Sequence, residues 1–149
     1  MTRAERQAVY ERFTVGLQAY VASLPERLHV HFERSRTDLR LNIPAPSTGH
    51  RTLSIEAAPG DIDFELGEVW GEFDEPDDLS TRTLLAWCDA VRDGRVREVR
   101  FADTGAVCQI ARLSSHGLDG FSRASSPGPR GRRRAPYRVS RLVPYEAAP

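Results

Sequence analysis

Hydrophobic and polar residues alternate along the middle of the chain. Between residues 53 and 73 an apolar side chain stands at almost every second position, and Pro59-Gly60 interrupts the run once. A period of two is typical of strands with one buried face, and Pro-Gly is a turn signal. Runs with the same period occur at residues 28–33, 39–43, 96–101 and 107–113. Because short turns connect antiparallel neighbours, the pattern predicts an antiparallel meander sheet of about 6–7 strands.

Two segments have helical spacing instead. Apolar residues recur three and four positions apart between residues 9 and 24, after the capping-box pattern Thr2-Arg3-Ala4-Glu5 and before Pro25. A second helix is predicted from about Ser80 to Arg92, with an apolar face formed by Leu84, Trp87, Cys88 and Val91. Each helix has one apolar stripe, so both are expected to pack on one face of the sheet. The predicted class is α+β, in the order α-β-β-β-β-(β)-α-β-β.

The regular hydrophobic pattern ends near residue 113, so the folded domain is predicted to end there. Residues 114–136 contain many Ser, Gly, Pro and Arg and few apolar residues, a composition typical of a flexible loop. Residues 137–149 are predicted to contain an edge strand followed by a C-terminal tail. We therefore expect residues 1–113 to form a single α+β domain, which is consistent with a chain of 149 residues.

The net charge is zero, but the charges are separated along the chain. Residues 61–78 contain nine acidic residues and no basic residue, whereas residues 95–141 contain eleven arginines and three acidic residues. This separation favours electrostatic contacts with partners, unless the two segments neutralise each other in the fold. All 21 basic residues are arginine, which the codon usage of a GC-rich genome explains and which indicates a bacterial source.

Hydropathy and cysteine content set the expected location. No apolar run approaches the roughly 18 residues that a membrane-spanning helix requires, and the charged N-terminal residues do not resemble a signal peptide. We therefore expect a cytoplasmic protein with no membrane association. Cys88 and Cys108 are expected to be reduced core residues in that compartment. We expect no cofactor, and the oligomeric state is left open.

The acidic segment carries the leading functional hypothesis. Trp70 stands among carboxylates on a predicted sheet face, unless a helix or loop covers it, and this arrangement resembles an interface anchor with a polar rim. The sequence therefore predicts a non-enzymatic bacterial domain that binds a basic protein partner, as an immunity or inhibitor protein would. The predicted contact residues are Asp61, Asp63, Glu65, Glu68, Trp70 and Glu72.

A metal-dependent enzyme acting on nucleotides or phosphoesters is the first alternative. His29 and His31 share one face of a predicted strand, and Asp61 and Asp63 share a face of another. Imidazole nitrogens and carboxylate oxygens are metal ligands, so the two pairs would form a metal site if they converged. A polar, solvent-exposed sheet face explains the same residues. The alternating Asp pair also lacks the upstream Gly-Ser turn and helix that hold phosphates in nucleotidyltransferases.

A nucleic-acid binder is the second alternative. Arg130, Arg132, Arg133 and Arg134 cluster in the predicted loop and would contact phosphates without sequence preference. A solvated linker explains the same run, and Phe121 and Tyr137 are too few for a base-stacking platform. The sequence contains no phosphate-binding glycine loop, no H-E-x-x-H and no C-x-x-C motif. The interpretation therefore leans towards a protein that is not an enzyme, with nucleic acid the less favoured ligand.

Overall fold

In a computed structural model, the described residues are 1–114, 117–121 and 137–149, and they form two α-helices, nine strands and a short 3-10 helix. The helices are α1 (Arg3–Ala22) and α2 (Asp78–Arg92). The strands between them are β1 (His31–Arg34), β2 (Leu39–Ile43), β3 (Leu53–Ala58), β4 (Asp61–Leu66) and β5 (Val69–Asp74). The elements after α2 are β6 (Val96–Phe101), β7 (Val107–Ser114), β8 (Gly117–Phe121), β9 (Tyr137–Arg141) and the 3-10 helix Tyr145–Ala147.

The strands are divided between two antiparallel sheets. The first sheet has the order β1-β2-β3-β4-β5, so each strand pairs with its neighbour in the sequence, and the second has the order β8-β7-β6-β9. The predicted α+β class and the order of elements are confirmed. The strands do not form the single sheet that the sequence suggested, because α2 carries the chain away from β5 before β6 begins the second sheet.

A shared hydrophobic core fixes which face of the first sheet looks outward. Every second residue of β2, β3 and β4 is buried, as Leu41, Ile55 and Phe64 illustrate. These side chains belong to the same cluster as Phe13 of α1 and Trp87 of α2. Burying each large apolar side chain stabilises the fold by about 1.5–3 kcal/mol, so the alternation determines the orientation of every strand. The intervening polar residues are therefore directed to the opposite side of the sheet.

Both helices begin at side-chain caps. The predicted capping box of α1 is present: the Glu5 backbone N–H donates to Thr2 Oγ1 at 3.2 Å, and the Thr2 N–H donates to Glu5 Oε2 at 2.6 Å. Helix α2 begins at Asp78, two residues before its predicted start, because Asp77 Oδ1 accepts a hydrogen bond from the Ser80 N–H at 2.7 Å. No helix in the described ranges has both the length and the apolar character needed to cross a membrane.

Part of the segment at residues 114–136, which was predicted to be a flexible loop, forms a strand. Residues 117–121 form β8, which pairs antiparallel with β7 through backbone hydrogen bonds that need no alternating side-chain pattern. Residues 115–116 and 122–136 lie outside the described residues. The C-terminal segment contributes β9, which pairs with β6.

Candidate protein-binding face on the first sheet

The outward positions of β1 to β5 form one continuous polar surface, which we name the acidic face. The antiparallel pairing of all five strands aligns these positions on one side of the sheet, and both helices pack against the other side. Seven carboxylates and one arginine occupy it. The residues of the acidic face are His31, Glu33, Arg40, Asn42, Ser54, Glu56, Asp61, Asp63, Glu65, Trp70, Glu72 and Asp74.

Several carboxylates of the acidic face stand directly opposite each other on neighbouring strands. Asp63 of β4 pairs with Glu56 of β3 on one side and with Glu72 of β5 on the other. Asp61 and Asp74 form a further opposed pair. Like charges in directly opposite positions destabilise a sheet. The face therefore reduces folding stability, and a cationic partner would relieve the repulsion.

The protein's own arginines do not neutralise the centre of this face. Among the described residues, Asp61, Asp63, Glu65 and Glu72 form no ion pair with a basic side chain. The single arginine on the face, Arg40, lies 3.9 Å from a carboxylate oxygen of the neighbouring turn. The central carboxylates are all exposed, so each remains accessible to an external cation.

Three other acids of the 61–78 segment have basic partners within the fold. Glu68, in the turn between β4 and β5, forms an ion pair with Arg100 of β6. Glu75 lies 3.3 Å from an arginine of α1, and Asp78 lies 2.9 Å from another. The acidic segment and the arginine-rich segment therefore meet at Glu68, which lies in the turn rather than on the acidic face. The other five predicted contact residues lie together on the face.

Trp70 forms one wall of a shallow depression in the acidic face. Its side chain is directly opposite Glu65, and the residue is 42% exposed. The depression has a volume of about 240 Å³ and is also lined by Ser54, Glu56 and Asp63. A guanidinium or ammonium group in this depression would contact carboxylates and the indole ring together. Such a cation–π contact contributes about 0.5–1 kcal/mol when exposed and about 2 kcal/mol or more when desolvated.

The structure does not bring the predicted metal ligands together. His31 lies on β1 and Asp61 and Asp63 lie on β4, with two strands between them. Three strand spacings separate β1 from β4 by about 14 Å, which is too far for one metal ion to bridge. His29 precedes β1 and is exposed. Within the described residues, no group of three or more His, Cys, Asp or Glu side chains could hold a metal ion.

The predicted nucleic-acid contacts cannot be placed in the fold. Arg130, Arg132, Arg133 and Arg134 all lie outside the described residues. The structure places other arginines of the same segment on the second sheet, where they belong to a different surface.

A buried polar network joins the two sheets, and sequence reasoning missed it. Glu98 of β6, whose side chain is 4% exposed, accepts hydrogen bonds from Arg51 Nε at 3.1 Å and Arg51 Nη2 at 2.8 Å. Gln109 of β7 donates to Glu98 Oε2 at 3.2 Å and to the Leu66 carbonyl oxygen of β4 at 2.9 Å. The sequence did contain a signal for this network. Glu98 stands two positions after the buried Val96, so the alternation of the strand places this charged residue on the core-facing side.

Opposing effects set the protonation of this network. Burial alone would raise the pKa of Glu98, but the hydrogen bonds from Arg51 and Gln109 outweigh it and hold that pKa below its ordinary value. The hydrogen bond to Glu98 likewise raises the pKa of Arg51. Both groups are therefore charged near neutral pH, and the acidic face is held in a fixed position relative to the second sheet.

A buried histidine fixes the loop between β2 and β3. The Ser47 hydroxyl lies 2.7 Å from His50 Nδ1, and His50 Nε2 lies 3.3 Å from the Pro144 carbonyl oxygen. The imidazole also stacks on Tyr145 with ring centroids 5.9 Å apart. These contacts attach the loop to the C-terminal segment, so they account for the burial of His50 by packing.

Comparison with known proteins does not assign this fold to a family: no family model, no curated protein sequence and no solved structure matches the chain. The functional argument therefore rests on the acidic face itself.

Proposed function

We propose that this chain is a non-enzymatic protein-binding domain that uses the acidic face to bind a basic protein partner, in the manner of an inhibitor or immunity protein. The observation that carries the proposal is the set of opposed carboxylates, Glu56–Asp63–Glu72 and Asp61–Asp74, which form no ion pair among the described residues. Their mutual repulsion lowers stability in the free protein and decreases when a cationic surface binds. The expectation of a bacterial, cytoplasmic protein forms part of this proposal.

The dimensions of the acidic face suit a compact basic element of the partner. Four strand spacings give a width of about 19 Å from β1 to β5. A helix with its side chains is about 10–12 Å across, so one basic helix or loop would cover the central strands. An arginine or lysine from that element would occupy the depression beside Trp70. The face would also accelerate encounter with a basic partner, and this acceleration would weaken as salt concentration rises.

A charge-matched pair of variants tests the proposal. The face variant is Asp63→Asn/Glu65→Gln/Trp70→Ala. The control variant, Glu11→Gln/Glu26→Gln/Leu79→Ala, makes the same change in net charge and removes one exposed apolar side chain elsewhere. Tagged wild-type protein and both variants would be used to capture partners from a lysate of the source organism, and captured proteins would be purified and titrated by calorimetry.

The expected result is a basic protein that binds wild type and the control variant with one-to-one stoichiometry and loses affinity for the face variant. Truncation of a tryptophan that a partner covers is alone expected to cost about 2 kcal/mol or more, which is roughly a thirtyfold loss in affinity. Equal binding of every purified partner to the face and control variants would refute the proposal.

A further inference from the structure

The second sheet carries a large pocket on its outward side, which we name the arginine pocket. It has a volume of about 790 Å³ and lies across β6, β7 and β9. Val96 and Glu98 of β6 face the core, whereas Arg97, Val99 and Phe101 alternate with them and line the pocket. The strand register brings Phe101 opposite Tyr137 of β9 and Val99 opposite Val139 of the same strand. The pocket therefore has an apolar floor formed by side chains of adjacent strands.

Four arginines surround this apolar floor: Arg95, Arg97, Arg112 and Arg141. The described lining residues include no acidic side chain. Arg97 and Arg112 form no ion pair with any described residue. The Arg141 Nε donates to the Gly94 carbonyl oxygen at 2.7 Å. Arg95 already forms an ion pair with Asp93 at 3.4 Å, so a complementary ligand would place negative charge near Arg97 and Arg112.

Two aromatic rings at one end of the pocket define the second requirement. The rings of Phe101 and Tyr137 have centroids 6.3 Å apart and planes inclined at 59°. Tyr137 is 59% exposed, so part of its side chain is accessible to a ligand. A nucleic-acid base stacks on an exposed aromatic side chain, and this contact tolerates any base because each has a flat π surface. In a duplex the bases are already stacked and the contact is not available.

We propose that the arginine pocket binds single-stranded nucleic acid, with phosphates on Arg97 and Arg112 and an unstacked base on Tyr137. A single strand carries both the negative charges and the accessible bases that complement this pocket. The pocket is on the second sheet and the acidic face is on the first, so the two sites are independent.

Fluorescence anisotropy with labelled homopolymers tests the pocket. The probes are fluorescein-labelled oligo(dT) and oligo(rU) of about 15 nucleotides, a length that spans a typical single-strand site, and a DNA duplex of equal length. The variants are Arg97→Gln/Arg112→Gln and Tyr137→Ala. Arg3→Gln/Arg36→Gln is the control of equal charge at exposed positions outside the pocket, and Trp70→Ala is the aromatic control on the acidic face. Circular dichroism would confirm that every variant is folded.

Wild type is expected to bind a single strand more tightly than the duplex, and the DNA and RNA probes then show which sugar is preferred. The double arginine variant is expected to reduce the slope of log K against log salt by about 1.4, since each lost phosphate contact removes about 0.7. Tyr137→Ala is expected to weaken binding about fivefold or more, whereas both controls bind like wild type.

Three outcomes would overturn the proposal. The first is no binding of either homopolymer at low salt, and the second is equal binding of the duplex. The third is that Arg97→Gln/Arg112→Gln binds as tightly as the Arg3→Gln/Arg36→Gln control. This includes the result that binding is lost only when residues 122–136 are deleted. If sedimentation shows self-association of wild type that Tyr137→Ala abolishes, and the homopolymers do not bind, the pocket is an interface between copies of the chain instead.

Discussion

The contact between Arg51 and Glu98 gives the most quantitative prediction of this structure. Replacing Arg51 by alanine leaves the Glu98 carboxylate buried, with Gln109 as its remaining hydrogen-bond donor. Removing one partner of a buried ion pair costs about 3–5 kcal/mol. The Arg51 side chain is 28% exposed, so water already reaches one side of the pair and the lower limit applies. We expect Arg51→Ala to reduce the free energy of unfolding at pH 7 by about 3 kcal/mol.

Glu98→Gln is expected to be less damaging than Arg51→Ala. The neutral amide has nearly the same shape as the carboxylate and can still accept a hydrogen bond. The charge that loses its partner is then the Arg51 guanidinium, which is partly hydrated. We expect a loss of about 1.5 kcal/mol, within the range for a hydrogen bond to a charged group. Arg12→Ala is the control, because it removes an exposed ion pair with Asp78 that is worth at most about 1 kcal/mol.

The pH dependence tests the physical reason for these losses. In the wild type the pKa of Glu98 is below its ordinary value of 4.5, so the contribution of this group is fully present above that pH and is lost as pH falls through the folded-state pKa. In Arg51→Ala the burial is no longer opposed by the guanidinium, so the pKa of Glu98 is expected to rise. At Glu98 the folded variant would then take up a proton more readily than the unfolded chain, so the contribution of this group to stability would increase as pH falls.

The stability difference between wild type and Arg51→Ala should therefore decrease between pH 7 and about pH 4. Urea unfolding followed by the fluorescence of the buried Trp87 measures this difference. A loss smaller than about 1 kcal/mol at pH 7 would place Arg51→Ala within the range of an exposed ion pair and contradict the reasoning. A large loss that does not change with pH would show that packing, rather than the charge of Glu98, explains it.

Three further predictions concern other parts of the fold. Asp63→Asn/Glu72→Gln should raise the free energy of unfolding by about 0.2–1 kcal/mol in urea titrations, because these side chains repel each other across β4 and β5. Gly94→Ala should lower the melting temperature and cost more than about 1 kcal/mol, since residue 94 has φ of 67° and an added Cβ would lie 2.7 Å from a proline ring. Burial raises the pKa of the Cys88 thiol well above its ordinary value, so in native protein a thiol reagent should modify the half-buried Cys108 and should reach Cys88 only after unfolding, as mass spectrometry would show.

The strands of the first sheet could be predicted because each has one buried and one exposed face. The acidic face followed from the same alternation, which placed Asp61, Asp63 and Glu65 on one side of β4. The ion pair of Glu68 could not be predicted, because Arg100 belongs to the other sheet and periodicity does not determine contacts between sheets. The separation of the His and Asp pairs was implied by the predicted meander itself, since two strands lie between β1 and β4 in that order.

The second sheet was harder to predict because its pairing joins distant segments. Strand β6 ends at Phe101 and pairs with β9, which begins only at Tyr137, and no local pattern specifies so distant a partner. Strand β8 (Gly117–Phe121) has two glycines in five residues and no alternation, so only its backbone pairing with β7 defines it. The arginine pocket depends on both facts, because Phe101 and Tyr137 become neighbours only through the β6–β9 register.

The zero net charge of the chain conceals two surfaces of opposite sign. The acidic face lies on the first sheet and the arginine pocket on the second, while the Arg51–Glu98–Gln109 network holds the sheets together between them. Variants at exposed positions of one surface should therefore leave the other surface's binding unchanged, because sites that share no contacts have additive effects. A variant that abolished binding at both surfaces would instead indicate loss of the fold. Arg51→Ala is the variant expected to come closest to loss of the fold. It weakens the contact between the two sheets without changing a residue of either surface.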